Sequence, residues 1–340
     1  MAASVKDVAA AASVSVGTVS NVLNRPEKVA PETVARVQAA IAQLGFVRND
    51  AARQLRAGRS RSIGLVVLDT ANPFFAEVAR GAEERADAEG MSILLGNSDQ
   101  VSARESAYLD LFREQRVNGV LLTPVDLDAA PVQRLVAAGI PVVLVDSELP
   151  GEDVPSVAVD DVEGGHLAVA HLLSLGRRRI AFVGGPLSIR QVADRLEGAR
   201  RALAEVPGAT LEVIELDALT VLRGREAGEA IGRREASDRP DAVFCANDLL
   251  AVGVLQGTAI LGDVRVPDDV ALIGYDDIDF AQATVVPLTS VRQPAREIGA
   301  TAVELLFEAL AGGAGLAGDA RPARHVRFRP ELVVRASTVG

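Results

Sequence analysis

Hydrophobic residues near the N-terminus recur with the period of an α-helix. Between residues 5 and 12, apolar side chains fall at positions i, i+3, i+4 and i+7, which predicts one amphipathic helix. Ser4 and Asp7 have the spacing of a capping box at its start. Four turn-forming residues from Ser13 interrupt this helix, and a second one follows with a single apolar face. The pattern therefore predicts two short helices joined by a tight turn.

The second helix, residues 16–24, leaves mostly short polar side chains toward solvent. Such a face suits contact with base edges in the major groove of DNA. In a helix-turn-helix the first helix crosses the DNA backbone and the second enters the groove with its N-terminus first. We therefore expect sequence-specific binding to double-stranded DNA. The residues expected at this surface are Ser15, Val16, Gly17, Thr18, Ser20, Asn21, Asn24 and Lys28.

Two further helical segments follow the predicted helix-turn-helix. Pro31 suits the first position of a third helix and Gly45 ends its apolar stripe, so residues 1–46 are predicted to form a small all-α head. Residues 47–61 are interpreted as a hinge helix and linker. The helical run there, residues 49–58, is short enough to be marginal alone in water. We expect it to fold only when a partner helix and DNA add contacts; a flexible linker is the alternative.

From residue 62 the pattern changes to short, fully apolar runs that alternate with amphipathic helices. Strands that are apolar on both faces belong to parallel sheets covered by helices. The runs fall into two series, one before and one after residue 160, which predicts an α/β body of two doubly wound lobes. The eight runs span residues 63–68, 91–95, 119–122, 140–145, 180–183, 213–216, 242–246 and 270–275.

Three stretches of the chain resemble the LacI/GalR (lactose-repressor) family of bacterial transcription regulators. They are VKDVAAAASVSVGTVSNVLN from Val5, APETVARVQAAIAQLGFVRNDAARQLRAG from Ala30, and NPFF from Asn72. The resemblance covers essentially the whole chain. It implies a homodimer on a palindromic operator, with paired hinge helices in the minor groove. There Leu55 would wedge between base pairs, and Arg56 would lie beside phosphates or groove edges.

The resemblance also implies how the body is organised. Residues 62–340 would form an effector-binding and dimerisation domain, folded like the type I periplasmic binding proteins. The chain would cross between lobes near residues 160, 290 and 320. The lobes would then comprise about 62–160 with 291–320, and 161–290 with 321–340.

Polar and aromatic residues gather at the predicted strand ends, where ligands bind in open α/β sheets. Carboxylates and guanidinium groups suit vicinal hydroxyls, because the first accept two hydrogen bonds and the second donate a planar pair. Asp146 and Arg195 match family positions that hydrogen-bond the effector. A pentose-like sugar is the first expectation, with a sugar phosphate or nucleobase as alternatives. The expected effector-binding residues are Asn72, Phe74, Phe75, Asp146, Arg195, Asn247, Asp276 and Gln293.

Each of these residues also has a purely structural explanation. Asn247 could cap the helix that follows it, and Asp276 could do the same in a turn. The two phenylalanines could belong to the core, and Arg195 could pair with Glu197 or Asp194 on the surface. The sequence departs from the family pattern at Asn21, which stands where an arginine is often found.

Charge is distributed unevenly along the chain. The formal net charge of −11 would by itself argue against binding DNA. Residues 1–60, however, hold eight basic and four acidic side chains, a net charge of +4, so the remaining 280 residues carry −15. A basic head on an acidic body keeps the attraction for phosphate local. The single cysteine, Cys245, fits a reducing compartment, and no signal peptide or membrane span is recognisable, so a cytoplasmic protein is expected.

The sequence contains no recognisable catalytic constellation or metal motif. A GxGxxG at 313–318 follows a helix rather than a strand, which argues against a dinucleotide site. We therefore expect no enzymatic activity and no cofactor. The interpretation is a repressor of sugar-utilisation genes controlled by a small effector in the interlobe cleft. A global regulator controlled by a protein partner is the alternative, and a solute-binding protein would not need residues 1–60.

Overall fold

The structure is a computed structural model that describes residues 3–46, 60–126, 128–149, 151, 153–311 and 323–339. The chain divides into two compact units, residues 1–60 and 61–340. Leu55, Arg56 and the GxGxxG at 313–318 lie outside the described residues. In the part of the chain that the structure describes, no helix is both long and apolar enough to cross a membrane.

The N-terminal unit contains three helices: α1 (Val5–Ala11), α2 (Val16–Asn24) and α3 (Pro31–Leu44). Ser4 and Asp7 form the expected capping box at α1. Gly45 ends α3 with a positive φ of 57°, a conformation that a residue without Cβ adopts at little cost. The three helices share one small core, built from Val8, Ala9, Ala12, Val19, Val22, Val37 and Ala40.

The larger unit consists of two α/β lobes, each around one six-stranded sheet. The first lobe comprises β1 (Ser62–Val67), α4 (Pro73–Asp87), β2 (Ser92–Asn97), α5 (Ser102–Glu114), β3 (Gly119–Leu122), α6 (Ala130–Ala137), β4 (Val142–Val145) and β5 (Ser156–Val159). The second comprises α7 (Asp161–Ser174), β6 (Arg179–Gly184), α8 (Arg190–Ala204), β7 (Thr210–Glu215), α9 (Val221–Gly232), β8 (Ala242–Cys245), α10 (Asp248–Leu255), β9 (Ala271–Asp276), α11 (Asp279–Ala283) and β10 (Thr289–Arg292). The chain ends with α12 (Ala295–Ala311), β11 (His325–Phe328) and β12 (Glu331–Val333).

The strand order in both sheets is that of a doubly wound fold. The first sheet runs β11-β5-β4-β3-β1-β2, and its neighbouring strands are parallel. The second runs β12-β10-β9-β8-β6-β7 and is parallel except for β12, which is antiparallel to β10. In each sheet the order reverses at the central strands, which leaves a crevice at their carboxyl ends. The predicted fold class, an all-α head with a two-lobed α/β body, is confirmed.

The chain crosses three times between the lobes. The first two crossings lie at Asp160 and at residues 293–294. The third does not lie near residue 320, because β11 pairs with β5 in the first sheet. That crossing falls at residues 329–330, between β11 and β12, so the expected boundary is about ten residues too early. Periodicity could not place it, since both strands of the tail look alike in sequence.

The first lobe is closed by a helix that comes from far along the chain. Helix α12 packs against α4 so closely that a Cβ added at Gly81 would lie 2.0 Å from the carbonyl oxygen of Arg296. Glycine is therefore required there.

At the edge of the same sheet, Leu94 and Leu95 of β2 are 37% and 50% exposed, although the apolar run predicted a strand buried on both faces. The run is apolar, but because β2 is the edge strand its side chains are partly uncovered on both faces of the sheet.

Candidate functional site

The surface of α2 carries the residues expected to read DNA. Val16, Gly17 and Asn21 are exposed, and Ser20 is partly exposed. Ser15 precedes the helix and caps it, since its Oγ accepts a hydrogen bond of 3.0 Å from the backbone N–H of Thr18. The first turn of α2 therefore has a fixed direction, with its N-terminal face open.

Two other expected DNA contacts differ in how free their side chains are. Asn24 donates from its amide to the carbonyl and hydroxyl oxygens of Ser20, so part of its hydrogen-bonding capacity is used within the helix. Lys28 is exposed in a 3₁₀ turn, Pro26–Lys28, after α2. A Cβ added at Gly17 would meet only the Oγ of Ser15, at 3.5 Å. Packing within the head therefore does not require glycine at this position.

The second candidate site is a cleft between the two lobes, at the carboxyl ends of their strands. The empty space in it is about 470 Å³, a volume that includes open solvent at its mouth. Seven of the eight residues expected to bind an effector line it, and Gln293 instead lies behind one of them. The lining consists of Leu68, Asp69, Asn72, Phe74, Phe75, Gln100, Asp146, Ile189, Gln191, Val192, Arg195, Leu219, Asn247 and Asp276.

Two hydrogen-bonded pairs join the lobes across this cleft. Asn72, before α4, donates from Nδ2 to Oδ2 of Asp276 at 2.9 Å. Gln191, on α8, donates from Nε2 to the carbonyl oxygen of Asp146 at 2.5 Å and to its Oδ2 at 3.2 Å. Gln293 donates to Oδ1 of Asp276 at 2.8 Å, so it supports the site from a crossing segment. The same polar groups that could bind a ligand thus hold the lobes together.

Arg195 is the most strongly engaged residue of the cleft. Its Nε donates to Oδ1 of Asp161 at 2.8 Å, and its Nη1 donates to the carbonyl oxygen of Ala246 at 2.7 Å. The guanidinium carbon also lies 3.7 Å from the centre of the Tyr275 ring, a cation–π contact. The surface alternative for Arg195 is wrong, because its side chain is buried at the base of the cleft.

The carboxylates of the cleft are buried, and burial disfavours their ionised form. Burial raises the pKa of Asp146, Asp161 and Asp276, while the positive charge of Arg195 opposes this rise. Asp146 and Asp276 also have positive φ angles of 54° and 101°. Backbone strain of this kind concentrates at functional sites. Oδ1 of Asp146 is buried without a hydrogen-bond partner, so it is an acceptor that a ligand could satisfy.

Several cleft residues combine a structural role with a place in the lining. Asn72 and Asn247 cap α4 and α10, since their side-chain oxygens accept from the backbone N–H groups of Phe74 and Leu250. Phe74 and Phe75 are buried, with ring centroids 5.1 Å apart in an edge-to-face arrangement. The structural explanations and the cleft positions are therefore compatible.

Sequence reasoning missed Gln191 and Asp161. A signal for Gln191 was present, because it lies four residues before Arg195 and so shares its helix face. Asp161 had no such signal, because its role depends on the contact with Arg195, 34 residues away. Tyr275, beneath the guanidinium, is part of a strand that looked purely structural.

Two known families match parts of the chain. Residues 4–49 match the family described as bacterial regulatory proteins, lacI family. Residues 169–338 match a periplasmic binding protein-like domain.

Curated relatives match along nearly their full length. The transcriptional repressor PurR of Photobacterium profundum is 34% identical over an alignment 342 positions long, which covers 98% of each chain. The transcriptional regulator DegA of Bacillus subtilis is 32% identical over 99% of this chain and 98% of its own. Both are transcription regulators of the helix-turn-helix type.

Solved structures give the same result. The lac repressor dimer bound to operator and the anti-inducer ONPF superposes with a TM-score of 0.82 at 27% identity, covering 100% of both chains. The regulator CelR in complex with cellobiose has a TM-score of 0.70 and 32% identity over 98% of this chain and 99% of its own. A LacI family regulator from Enterococcus faecium with bound ribose has a TM-score of 0.72 and 27% identity, over 82% of this chain and 98% of its own.

The relatives and neighbours are transcription regulators, not enzymes, as the sequence predicted. With its capped helix-turn-helix, its two-lobed body and these full-length relatives, the chain belongs to the LacI family and is a DNA-binding transcriptional repressor of the LacI and PurR type.

Proposed function

We propose that this repressor acts as a homodimer on a palindromic operator and is controlled by a sugar or sugar derivative bound in the interlobe cleft. Its targets would be sugar-utilisation genes. The observation that carries the proposal is the cleft itself, where polar groups from both lobes converge on one space. A ligand that contacts both lobes favours one arrangement of them over the other, which is what allosteric control requires.

The chemistry of the lining supports a polyhydroxylated ligand. The buried Oδ1 of Asp146 offers an acceptor to a hydroxyl group. Leu68, Ile189, Val192 and Leu219 provide an apolar wall beside these polar groups, against which the C–H face of a sugar ring can pack. Cellobiose and ribose are bound by two of the regulators of similar structure, which supports the same class here.

The DNA-reading role falls to the exposed face of α2. Asn21 would pair with N6 and N7 of an adenine, so the half-site would differ from one read by arginine. Lys28 would contact phosphate. Leu55 and Arg56 would act in the minor groove between paired hinge helices, as the family resemblance implies. Effector binding would then change DNA affinity by ordering or melting those helices.

The test begins with the operator. Selection from a random-sequence DNA library with the full-length protein should yield a palindrome. Fluorescence anisotropy then measures its Kd with and without D-ribose, D-xylose, D-glucose, D-fructose and cellobiose. We expect one sugar to change the Kd about tenfold or more and to raise the melting temperature of the protein. A silent panel would contradict the sugar effector and favour control by a protein partner.

A further inference from the structure

The charges that line the cleft do not balance. Half-buried Asp69 supplies one carboxylate of the lining. Three others, those of Asp146 and Asp276 in the lining and of Asp161 beside Arg195, are buried with relative exposures of 4%, 6% and 7%. They surround one guanidinium, that of Arg195, which is 4% exposed. Among the described residues that line the cleft, Arg195 is the one cationic side chain. The base of the cleft is therefore rich in acceptors and poor in positive charge.

The guanidinium of Arg195 is already committed to the protein. Nε bonds Asp161, Nη1 bonds the carbonyl oxygen of Ala246 and lies 3.8 Å from Asp276, and one face covers Tyr275. An incoming phosphate or carboxylate could be paired only through the remaining N–H groups, and it would share the positive charge of Arg195 with Asp161 and Asp276.

A second space adjoins the cleft, and its lining also carries a net negative charge. Its empty space is about 500 Å³, open solvent included, and Asp146 and Gln191 line both spaces. The two arginines that line it are already paired: Arg190 with Asp194 at 2.7 Å, and Arg327 with Glu148 at 2.8 Å. An anionic group at the far end of a longer ligand would therefore meet carboxylates as well.

The N-terminus of one helix opposes the negative potential of the cleft. Helix α8 begins at Arg190 beside the cleft, and Ile189 before it provides no side-chain cap. Its N-terminus carries a partial positive charge of about half an elementary charge. Burial raises the pKa of the three buried carboxyl groups, but even with one of them protonated their charge exceeds that of Arg195 by one full negative charge, which is more than the helix terminus offsets. The free N–H groups there suit a neutral hydroxyl or carbonyl oxygen.

We infer that the cleft admits neutral or cationic polyols, such as free sugars and amino sugars, and excludes their anionic derivatives. Sugar phosphates and sugar acids are thereby removed from the candidate effectors. This inference rests on the proposed function, since it concerns the ligand of the same cleft. The oxygen of Asp146 that lacks a partner receives a donor from a hydroxyl or ammonium group, whereas a phosphate dianion brings only further acceptors.

The test uses matched ligands that differ in one group. D-Ribose is compared with D-ribose 5-phosphate, D-fructose with D-fructose 6-phosphate, and D-glucose with D-glucosamine and D-glucose 6-phosphate. Thermal shift and titration calorimetry are run on the full-length protein at pH 7. We expect a neutral or amino member to bind at least about 100-fold more tightly than its phosphate, because the phosphate enters a field of like charge.

The possible outcomes separate the two claims. A phosphate that binds as tightly as its neutral partner and changes operator affinity would overturn the inference while leaving the sugar effector standing. Binding of no sugar or phosphate would contradict the proposed effector, and the inference with it.

Two variants show whether the carboxylates cause the discrimination. Asp276→Asn removes one negative charge from the cleft, whereas Asp87→Asn removes one from an exposed position on α4. The ratio of the Kd for the phosphate to that for the sugar should fall about tenfold in Asp276→Asn and stay unchanged in Asp87→Asn. Equal ratios in wild type and both variants, with a bound sugar, would show that charge does not select the ligand.

Discussion

The side-chain amide of Asn72 donates a 2.9 Å hydrogen bond to the carboxylate of Asp276, which lies 204 residues later in the chain. Asn72 stands at the start of α4 in the first lobe, and Asp276 ends β9 in the second. One bond thus closes the cleft between elements that are far apart in sequence. A ligand that takes the bonded N–H or the bonded lone pair for itself must replace this bond.

Asn72 has two roles that substitution can separate. Asn72→Ser keeps a good N-cap for α4 but is too short to reach Asp276, so the free energy of unfolding should fall by about 1–2 kcal/mol. Asn72→Ala loses the cap as well and should cost about 1 kcal/mol more. Urea denaturation measures both values. Equal stabilities of the two variants would show that the cap adds nothing.

Arg195 and Asp161 should behave as one unit. Arg195→Met leaves Asp161 buried beside no cation and should destabilise the protein by about 3–5 kcal/mol. Adding Asp161→Asn should recover most of that loss, because the uncompensated charge is removed. A double-mutant cycle from urea denaturation gives the coupling. Simple additivity of the two single changes would disprove the pairing.

Loss of effector response in an Arg195 variant does not by itself show that Arg195 contacts the ligand. The expected destabilisation of the body would remove the response even if Arg195 never touched the ligand. The double variant, Arg195→Met with Asp161→Asn, is the suitable background for ligand titrations.

Glu105 should make stability depend on pH. It is buried at the start of α5, and its Oε2 accepts a 2.7 Å hydrogen bond from the backbone N–H of Val125. Burial, with smaller contributions from Asp126 and Asp128, raises its pKa from 4.5 to about 7. Because the folded state holds this proton more tightly, the stabilisation is present below pH 4.5 and is lost as the pH rises through 7.

The matched variant is Glu105→Gln, which keeps an oxygen for Val125 and cannot ionise. Between pH 4.5 and 8 the stability difference between wild type and variant should change by up to about 3 kcal/mol, with wild type losing stability. Urea denaturation across this range measures the difference. Parallel pH profiles for the two proteins would rule out titration of Glu105.

Asn21 should matter for DNA and not for folding. Its side chain is exposed on α2, so Asn21→Ala should leave the melting temperature unchanged and weaken binding to the selected operator by about 1–3 kcal/mol. Gln38→Ala, at an exposed position of α3, is the control and should change neither. An Asn21 variant that binds its operator normally would exclude base reading by this residue.

The head and the order of the body could be predicted because their signals are local. The helical period of residues 5–12, the cap at Ser4 and the glycine at 45 each specify structure within one or two turns. The site was predicted in part for the same reason, since Asp146 and Asp276 end apolar strands. Their role as effector contacts remains a prediction.

What the sequence could not provide depends on contacts between distant elements. The pairing of Arg195 with Asp161, the support of Asp276 by Gln293 and the exposed leucines of β2 all follow from strand order and lobe packing. The third crossing was misplaced because the strand at His325–Phe328 pairs with β5 and so belongs to the first sheet. Local periodicity carries no information about that choice.

The three connections between the lobes are each only one or two residues long: Asp160, residues 293–294 and residues 329–330. A residue spans at most about 3.6 Å, so none of them can lengthen enough to let the lobes slide past one another. Three connections this short leave rotation of one lobe relative to the other as the available motion. Gln293 lies in one of these connections and donates a hydrogen bond to Asp276. Rotation of the lobes therefore moves the wall of the cleft that Asp276 forms.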